Sequence, residues 1–117
     1  MNNSSRLNRA LACVFTVASL GLATSTFAAG VDADAAQALA KKNDCGKCHA
    51  ADKKKEGPSY KETAAKYKGK ATAEDDVYKQ LTTSPKVKVD GKEEEHKAVA
   101  SKDEAAVRNL ARWILAQ

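Results

Sequence analysis

Hydrophobic and polar positions follow different periods along the chain, and each period marks an element. From Ala10 to Ala23 the chain is apolar over 14 positions, broken only by Cys13, Thr16, Ser19 and Gly21. Arg6 and Arg9 precede this run, and the small-residue stretch Thr24-Ser25-Thr26-Phe27-Ala28-Ala29 follows it. From Ala33 to Lys42 the pattern turns helical. Asp32 and Asp34 stand at its start and Lys41 and Lys42 at its end, charges that suit the two poles of a helix dipole. Ser59-Tyr60-Lys61-Glu62 has the form of a capping box and opens a second helix, with Tyr60, Ala64 and Tyr67 on one face and Gly69 as its stop. Thr72, with Asp75 following it, opens a third that carries Val77, Tyr78 and Leu81 and ends before Pro85. Ser101-Lys102-Asp103-Glu104 has the form of a second capping box. It opens a last helix with the apolar stripe Val107, Leu110, Ala111 and Ile114, and Trp113 beside the stripe. Between Thr83 and Ala100 the chain is highly charged, with one short alternation at Val87 and Val89, and reads as a long loop of the functional or disordered kind. The pattern predicts an all-α domain of four short helices.

The first apolar run stands apart from that domain. A basic start, an apolar stretch and small residues at the cut make residues 1–28 a secretory signal peptide, cleaved after Ala28. The run is shorter than the roughly 20 residues that span a bilayer, so no stable membrane insertion is expected after cleavage. Cys13 has no lipobox around it, since only Ala10, Leu11 and Ala12 precede it within the run. Residues 29–117 are then one mature domain, expected in the periplasm. Losing Arg6 and Arg9 leaves 18 Lys and Arg against 15 Asp and Glu, so the formal net charge falls from +5 to +3. That excess is weak, and nucleic acid is not an expected partner of an exported chain. Phe15 and Phe27 leave as well, and the remaining large aromatics are Tyr60, Tyr67, Tyr78 and Trp113. So few large side chains make a thin core for a small domain, and a group other than side chains is expected to complete it.

Two cysteines remain in the mature chain, in Cys45-Gly46-Lys47-Cys48-His49. This is the C-x-x-C-H pattern of c-type haem attachment. Each thiol adds across one haem vinyl group, the two-residue spacer sets the separation of the sulfurs, and the following imidazole is directed at the iron. A disulfide oxidoreductase would need a thioredoxin-type strand–helix context, and no strand-rich pattern is present. A zinc site would need a second pair of ligands, and only His96 is at hand.

Over roughly Ala33 to Leu115 the chain resembles a class I cytochrome c of the small bacterial monohaem type, c551/c552-like. The residues that carry the resemblance are the pentad Cys45–His49, then Gly57-Pro58-Ser59-Tyr60-Lys61, then Asp103-Glu104-Ala105-Ala106 and Leu110-Ala111-Arg112-Trp113-Ile114-Leu115. The resemblance implies a cytochrome c-like fold around one covalently bound haem c, with the first and last helices crossing and Leu39 facing Leu110 and Ile114. It implies attachment through Cys45 and Cys48, His49 as proximal ligand, and Pro58 accepting the ring N–H of His49. Tyr60 and Trp113 are further candidates to line the haem.

The chain departs from the family at the distal ligand. Class I cytochromes usually place a Met there, and the only Met is Met1, within the signal peptide. Near the expected position stands His96, the other histidine of the mature chain and 47 residues after His49. Bis-His ligation by His49 and His96 is the leading expectation. The competing one is an open iron, or a Lys ligand such as Lys97 or Lys88. Glu93, Glu94 and Glu95 beside His96 would favour a protonated ring, or one of them would accept its N–H. With both axial positions filled, the expected function is a periplasmic one-electron carrier of low potential, not an enzyme. An open iron would instead give a gas-binding or peroxidase-like protein. A haem subunit of a periplasmic dehydrogenase or oxidase shares the same chemistry. Redox partners are expected to dock near the haem edge at Lys47, Lys53, Lys54 and Lys55.

Overall fold

The structure is a computed structural model and describes residues 30–117; the predicted signal peptide, residues 1–28, lies outside the described residues. Helix α1 (Ala33–Lys42) begins where the Asp32 carboxylate accepts the Ala35 N–H at 2.9 Å. Helix α2 (Tyr60–Tyr67) carries the complete capping box. Ser59 Oγ accepts the Glu62 N–H at 3.1 Å, and the Glu62 carboxylate accepts the Ser59 N–H at 2.7 Å. Helix α3 (Ala73–Thr82) starts at Thr72, whose hydroxyl donates to Asp76 at 3.0 Å and caps no backbone amide.

Helix α4 (Glu104–Leu115) starts differently from the sequence expectation. The N-cap is Asp103, whose carboxylate accepts the Ala106 N–H at 3.1 Å, while Ser101 Oγ accepts the Asp103 N–H at 3.2 Å. No second capping box forms. A carboxylate at the N-cap satisfies a free amide and also meets the positive pole of the helix, which a hydroxyl does less well. Glu104 stands in the first turn and accepts from Arg108 at 2.7 Å.

The charged stretch after α3 is not a structureless loop. Strands β1 (Lys86–Val89) and β2 (Lys92–Glu95) form an antiparallel hairpin in the register Lys86–Glu95, Val87–Glu94, Lys88–Glu93, Val89–Lys92. Its turn is Asp90-Gly91 with both φ positive, at 49° and 81°. That is the geometry in which two-residue hairpin turns match strand twist, and Asp-Gly is among the pairs that adopt it readily. The otherwise helical domain therefore carries one small sheet.

Helix α4 is the hub, and α1, α2 and α3 all pack on it. Its buried positions, Val107, Leu110, Ala111 and Ile114, form one stripe at helical spacing. α1 meets it with Ala36 and Ala40, whose small side chains let the two helices approach closely. Leu39 packs on the same cluster but is only partly buried. Val77 and Leu81 of α3, with Tyr60 and Val99, complete the cluster. Outside the core, Arg108 joins α3 to α4. It reaches Asp75 at 3.0 Å and Glu74 at 3.4 Å and lies 4.5 Å over the Tyr78 ring. Among the described residues no helix is long and apolar enough to cross a membrane.

Candidate cofactor site

The end of α1 leads through Asn43 and Asp44 into the cysteine pair. Asp44 adopts a left-handed conformation at φ 58°, which ends the helix and starts a 3-10 turn over Cys45–Lys47. The Cys48 and His49 N–H groups both donate to the Cys45 carbonyl, at 3.2 and 2.9 Å. One tight turn therefore carries both thiols and the imidazole. Both cysteines are free and half-buried. Burial pushes the Cys45 thiol up from its ordinary value, and a hydrogen bond to Glu56 at 3.2 Å does the same for Cys48.

The His49 ring is held from several sides. Its Nδ1 lies 2.6 Å from the Pro58 carbonyl oxygen. A carbonyl only accepts, so Nδ1 carries the proton and Nε2 keeps a free lone pair. The loop that delivers Pro58 is closed by Gly57 N–H to the Cys48 carbonyl at 2.8 Å and Tyr60 N–H to the Ala50 carbonyl at 2.9 Å. Gly57 is needed there for space, because a Cβ would stand 2.6 Å from His49 Cε1. Tyr60 stacks on His49 with centroids 5.8 Å apart, and Trp113 meets Tyr60 edge-on at 5.2 Å. These three residues border an open cavity of about 430 Å³, with Ala38, Lys41 and Ala50 among its walls. Burial, with Cys45 nearby, pushes the Tyr60 hydroxyl up to about 12, so it stays neutral.

His96 follows β2 directly. Its N–H donates to the Pro85 carbonyl at 2.9 Å, which closes the base of the hairpin and sets the ring. The His49 and His96 rings face each other with centroids 6.1 Å apart and planes inclined by 49°. Among the described residues, His96 Nδ1 is buried with no hydrogen-bond partner. Glu93, Glu94 and Glu95 lie exposed along β2, and none accepts from the ring or holds it protonated, contrary to the sequence expectation. Burial lowers the His96 value, with the nearby His49 ring acting in the same direction. The neutral imidazole is the form that binds a metal.

The residues suit a metal-centred group lying between the two rings. A metal–imidazole bond is about 2 Å long, so two imidazoles bonding one ion from opposite sides have centroids about 6 Å apart. The separation found matches that geometry, and the partnerless nitrogen of His96 is consistent with it. Lys97 lies elsewhere, with Nζ 3.2 Å from Asp44. Lys88 is exposed on β1. The basic residues expected to guide docking divide. Lys47 pairs with Asp44 at 3.4 Å and the Lys55 ammonium donates to the Gly46 carbonyl, whereas Lys53 and Lys54 have no ion-pair partner among the described residues.

Sequence reasoning missed Asn43. It is 6% exposed, a buried polar residue between α1 and the segment after His96. An Asn after a helix is an ordinary C-cap signal, and nothing local reveals that it reaches Ala100, 57 residues away.

A family profile described as cytochrome c matches residues 33–117. The chain is 38% identical over 97 residues to cytochrome c-551 of Pseudomonas aeruginosa, covering 82% of this chain and 90% of that protein. It is similar in structure to the class 1 cytochrome MtoD of Sideroxydans lithotrophicus, with a TM-score of 0.69 and 51% identity over 74% of this chain and 96% of that one. It is also similar to cytochrome c552 of Nitrosomonas europaea, with a TM-score of 0.54 and 32% identity over 72% and 96% of the two chains.

Proposed function

The chain belongs to the cytochrome c family, and from that premise we propose that it is a periplasmic one-electron carrier with one haem c. Members of this family bind haem covalently and pass electrons to redox partners. In this reading Cys45 and Cys48 would form the two thioethers, and His49 and His96 would both hold the iron. The observation that carries it is the pair of facing imidazoles 6.1 Å apart.

The bound haem supplies a reversible one-electron change at iron. The chain's own residues decide how that change is used. Pro58 fixes the proton on His49 Nδ1, which directs Nε2 outward and makes the ring a better donor. Tyr60 stacks on the ring and Trp113 backs Tyr60 edge-on, so the ring has little freedom to reorient when the charge changes. His96, which burial favours in its neutral form, would supply a second imidazole to the iron and so leave no position for substrate. A second imidazole in place of a thioether favours the oxidised state, so the potential lies below that of His/Met relatives. The capture of Lys97 by Asp44 supports His96 over Lys97 as ligand. Lys53 and Lys54 are the charges proposed to steer acidic redox partners, with Lys47 and Lys55 contributing less because each is already engaged.

The test is the spin state of the ferric holoprotein at neutral pH, by EPR and absorption. A low-spin signal that His96→Ala converts to high spin is expected. A high-spin signal in the unaltered protein overturns the bis-His carrier.

A further inference from the structure

His96 lies on a segment with little to hold it on the side that precedes it. The hairpin before it is exposed along all of β2, and its strands carry mostly Lys and Glu. Pro85 fixes the start of His96 but belongs to the same excursion of the chain. Two contacts fix the far side: Val99, buried in the core with its N–H donating to the Leu81 carbonyl at 2.8 Å, and next to it Asn43. Its Oδ1 accepts the Ala100 N–H at 2.8 Å, and its Nδ2 donates to the Leu39 carbonyl at 2.9 Å. The Asn43 N–H donates to the same carbonyl at 3.1 Å. Both ends of this side chain are satisfied and Asn43 itself is buried, so losing its partners would leave a buried polar group unpaired. The adjacent Asp44 adds an ion pair to Lys97 at 3.2 Å, with the two side chains 47% and 65% exposed. Such an exposed pair holds weakly compared with a buried hydrogen bond.

Asn43 and Asp44 are also the two residues immediately before Cys45. The same two positions that lead into the cysteine–histidine turn therefore reach across to the segment carrying the opposite imidazole. We propose that Asn43 is a positioning residue for His96: it latches residues 97–100 to the end of α1 and so keeps the His96 ring facing His49. This rests on His96 being the distal ligand. It assigns Asn43 no contact with the haem or the iron.

The latch makes His96 hard to displace. An external ligand must compete with a ring whose segment is already tethered, and cutting the tether releases that competition. Losing one part-buried hydrogen bond of this kind corresponds to about a tenfold change in the competing equilibrium. The test uses ferric holoprotein at neutral pH with cyanide as probe, its Kd read from the absorption shift. Asn43→Ala should remain low-spin but bind cyanide about tenfold more tightly. Its Ala100 amide should also exchange with solvent faster than in the parent protein. Asn43→Asp keeps an acceptor for the Ala100 N–H but sets an oxygen against the Leu39 carbonyl, so its cyanide Kd should fall between those of Asn43→Ala and the parent. Asn109→Ala is the control. Asn109 makes a similar two-bond clasp to Asp32 at the other end of α1, with both distances 2.8 Å. Cutting it should lower the melting temperature and leave the cyanide Kd unchanged.

Should Asn43→Ala yield no holoprotein, Asn43→Ser, too short to reach Ala100, takes the same readouts. An unchanged cyanide Kd in the Asn43 variants, while His96→Ala still opens the iron, overturns the latch and leaves the ligand assignment standing. So does an Asn109→Ala effect as large as theirs. A ferric spectrum unaffected by His96→Ala overturns both.

Discussion

Gly57→Ala adds one methyl group at the point where the structure has least room for it. The new Cβ would stand 2.6 Å from His49 Cε1, 3.0 Å from His49 Nδ1 and 3.2 Å from the Cys48 carbonyl oxygen. Non-bonded carbons rest about 3.5–4.0 Å apart, so the ring or the loop must give way by about 1 Å. Neither does so freely. The ring is tied through Nδ1 to Pro58 and stacked on Tyr60, and residue 57 is tied through its N–H to Cys48. Gly57 is not among the glycines with positive φ, so the cost is one of space and not of backbone conformation. Overpacking a tight site costs about 1–3 kcal/mol, and the hydrogen bond lost in relieving it about 0.5–1.5 kcal/mol more. A total of about 2–4 kcal/mol lowers the melting temperature of a domain this size by roughly 10–25 °C.

The same variant should also shift the potential. If the ring gives way, the Nδ1–Pro58 bond weakens, the imidazole donates less strongly, and the reduction potential of the holoprotein rises. Circular dichroism melts and spectroelectrochemical titration measure the two effects. Gly46→Ala is the matched control, because a Cβ at Gly46 meets nothing within 4 Å. If Gly57→Ala melts within about 3 °C of the parent and keeps its potential, the packing argument is wrong.

Two further outcomes follow from the core and the caps. The buried cluster contains three alanines and only one aromatic, so Cys45→Ala with Cys48→Ala should yield a chain without covalent haem and without a cooperative melt; native-like helicity in that chain would contradict it. The Glu62 carboxylate is held below its ordinary value first by the Ser59 N–H and then by the Ser59 hydroxyl. A depressed folded-state value means that its contribution is complete above the unfolded value, about 4.3, and fades as pH falls through the lower folded one. The stability difference between the parent and Glu62→Gln, measured by denaturant titration, should therefore shrink on acidification, and a constant difference would count against it.

Much of this protein is written locally. The limits of α1 follow from Asp32 and the closing lysines, those of α2 from the Ser59–Glu62 box, and the buried stripe of α4 from its spacing. Each is an interaction within one or two helical turns, which neighbouring residues decide among themselves. The pentad Cys45–His49 is local for the same reason. The hairpin turn is visible in Asp90-Gly91 after the Val87/Val89 alternation, but the strands are so rich in Lys and Glu, the second wholly so, that the pattern reads as loop. At the start of α4, local reasoning chose the wrong cap, since Ser101 and Asp103 both match a capping residue and only the path of the chain selects between them. What only the tertiary structure decided is the meeting of distant residues. His49 faces His96, Gly57 makes room for the His49 ring, and Asn43 reaches Ala100. Those contacts depend on how the chain after the hairpin returns to the end of α1, and the helices it joins are placed by packing on α4, which no short stretch of sequence encodes.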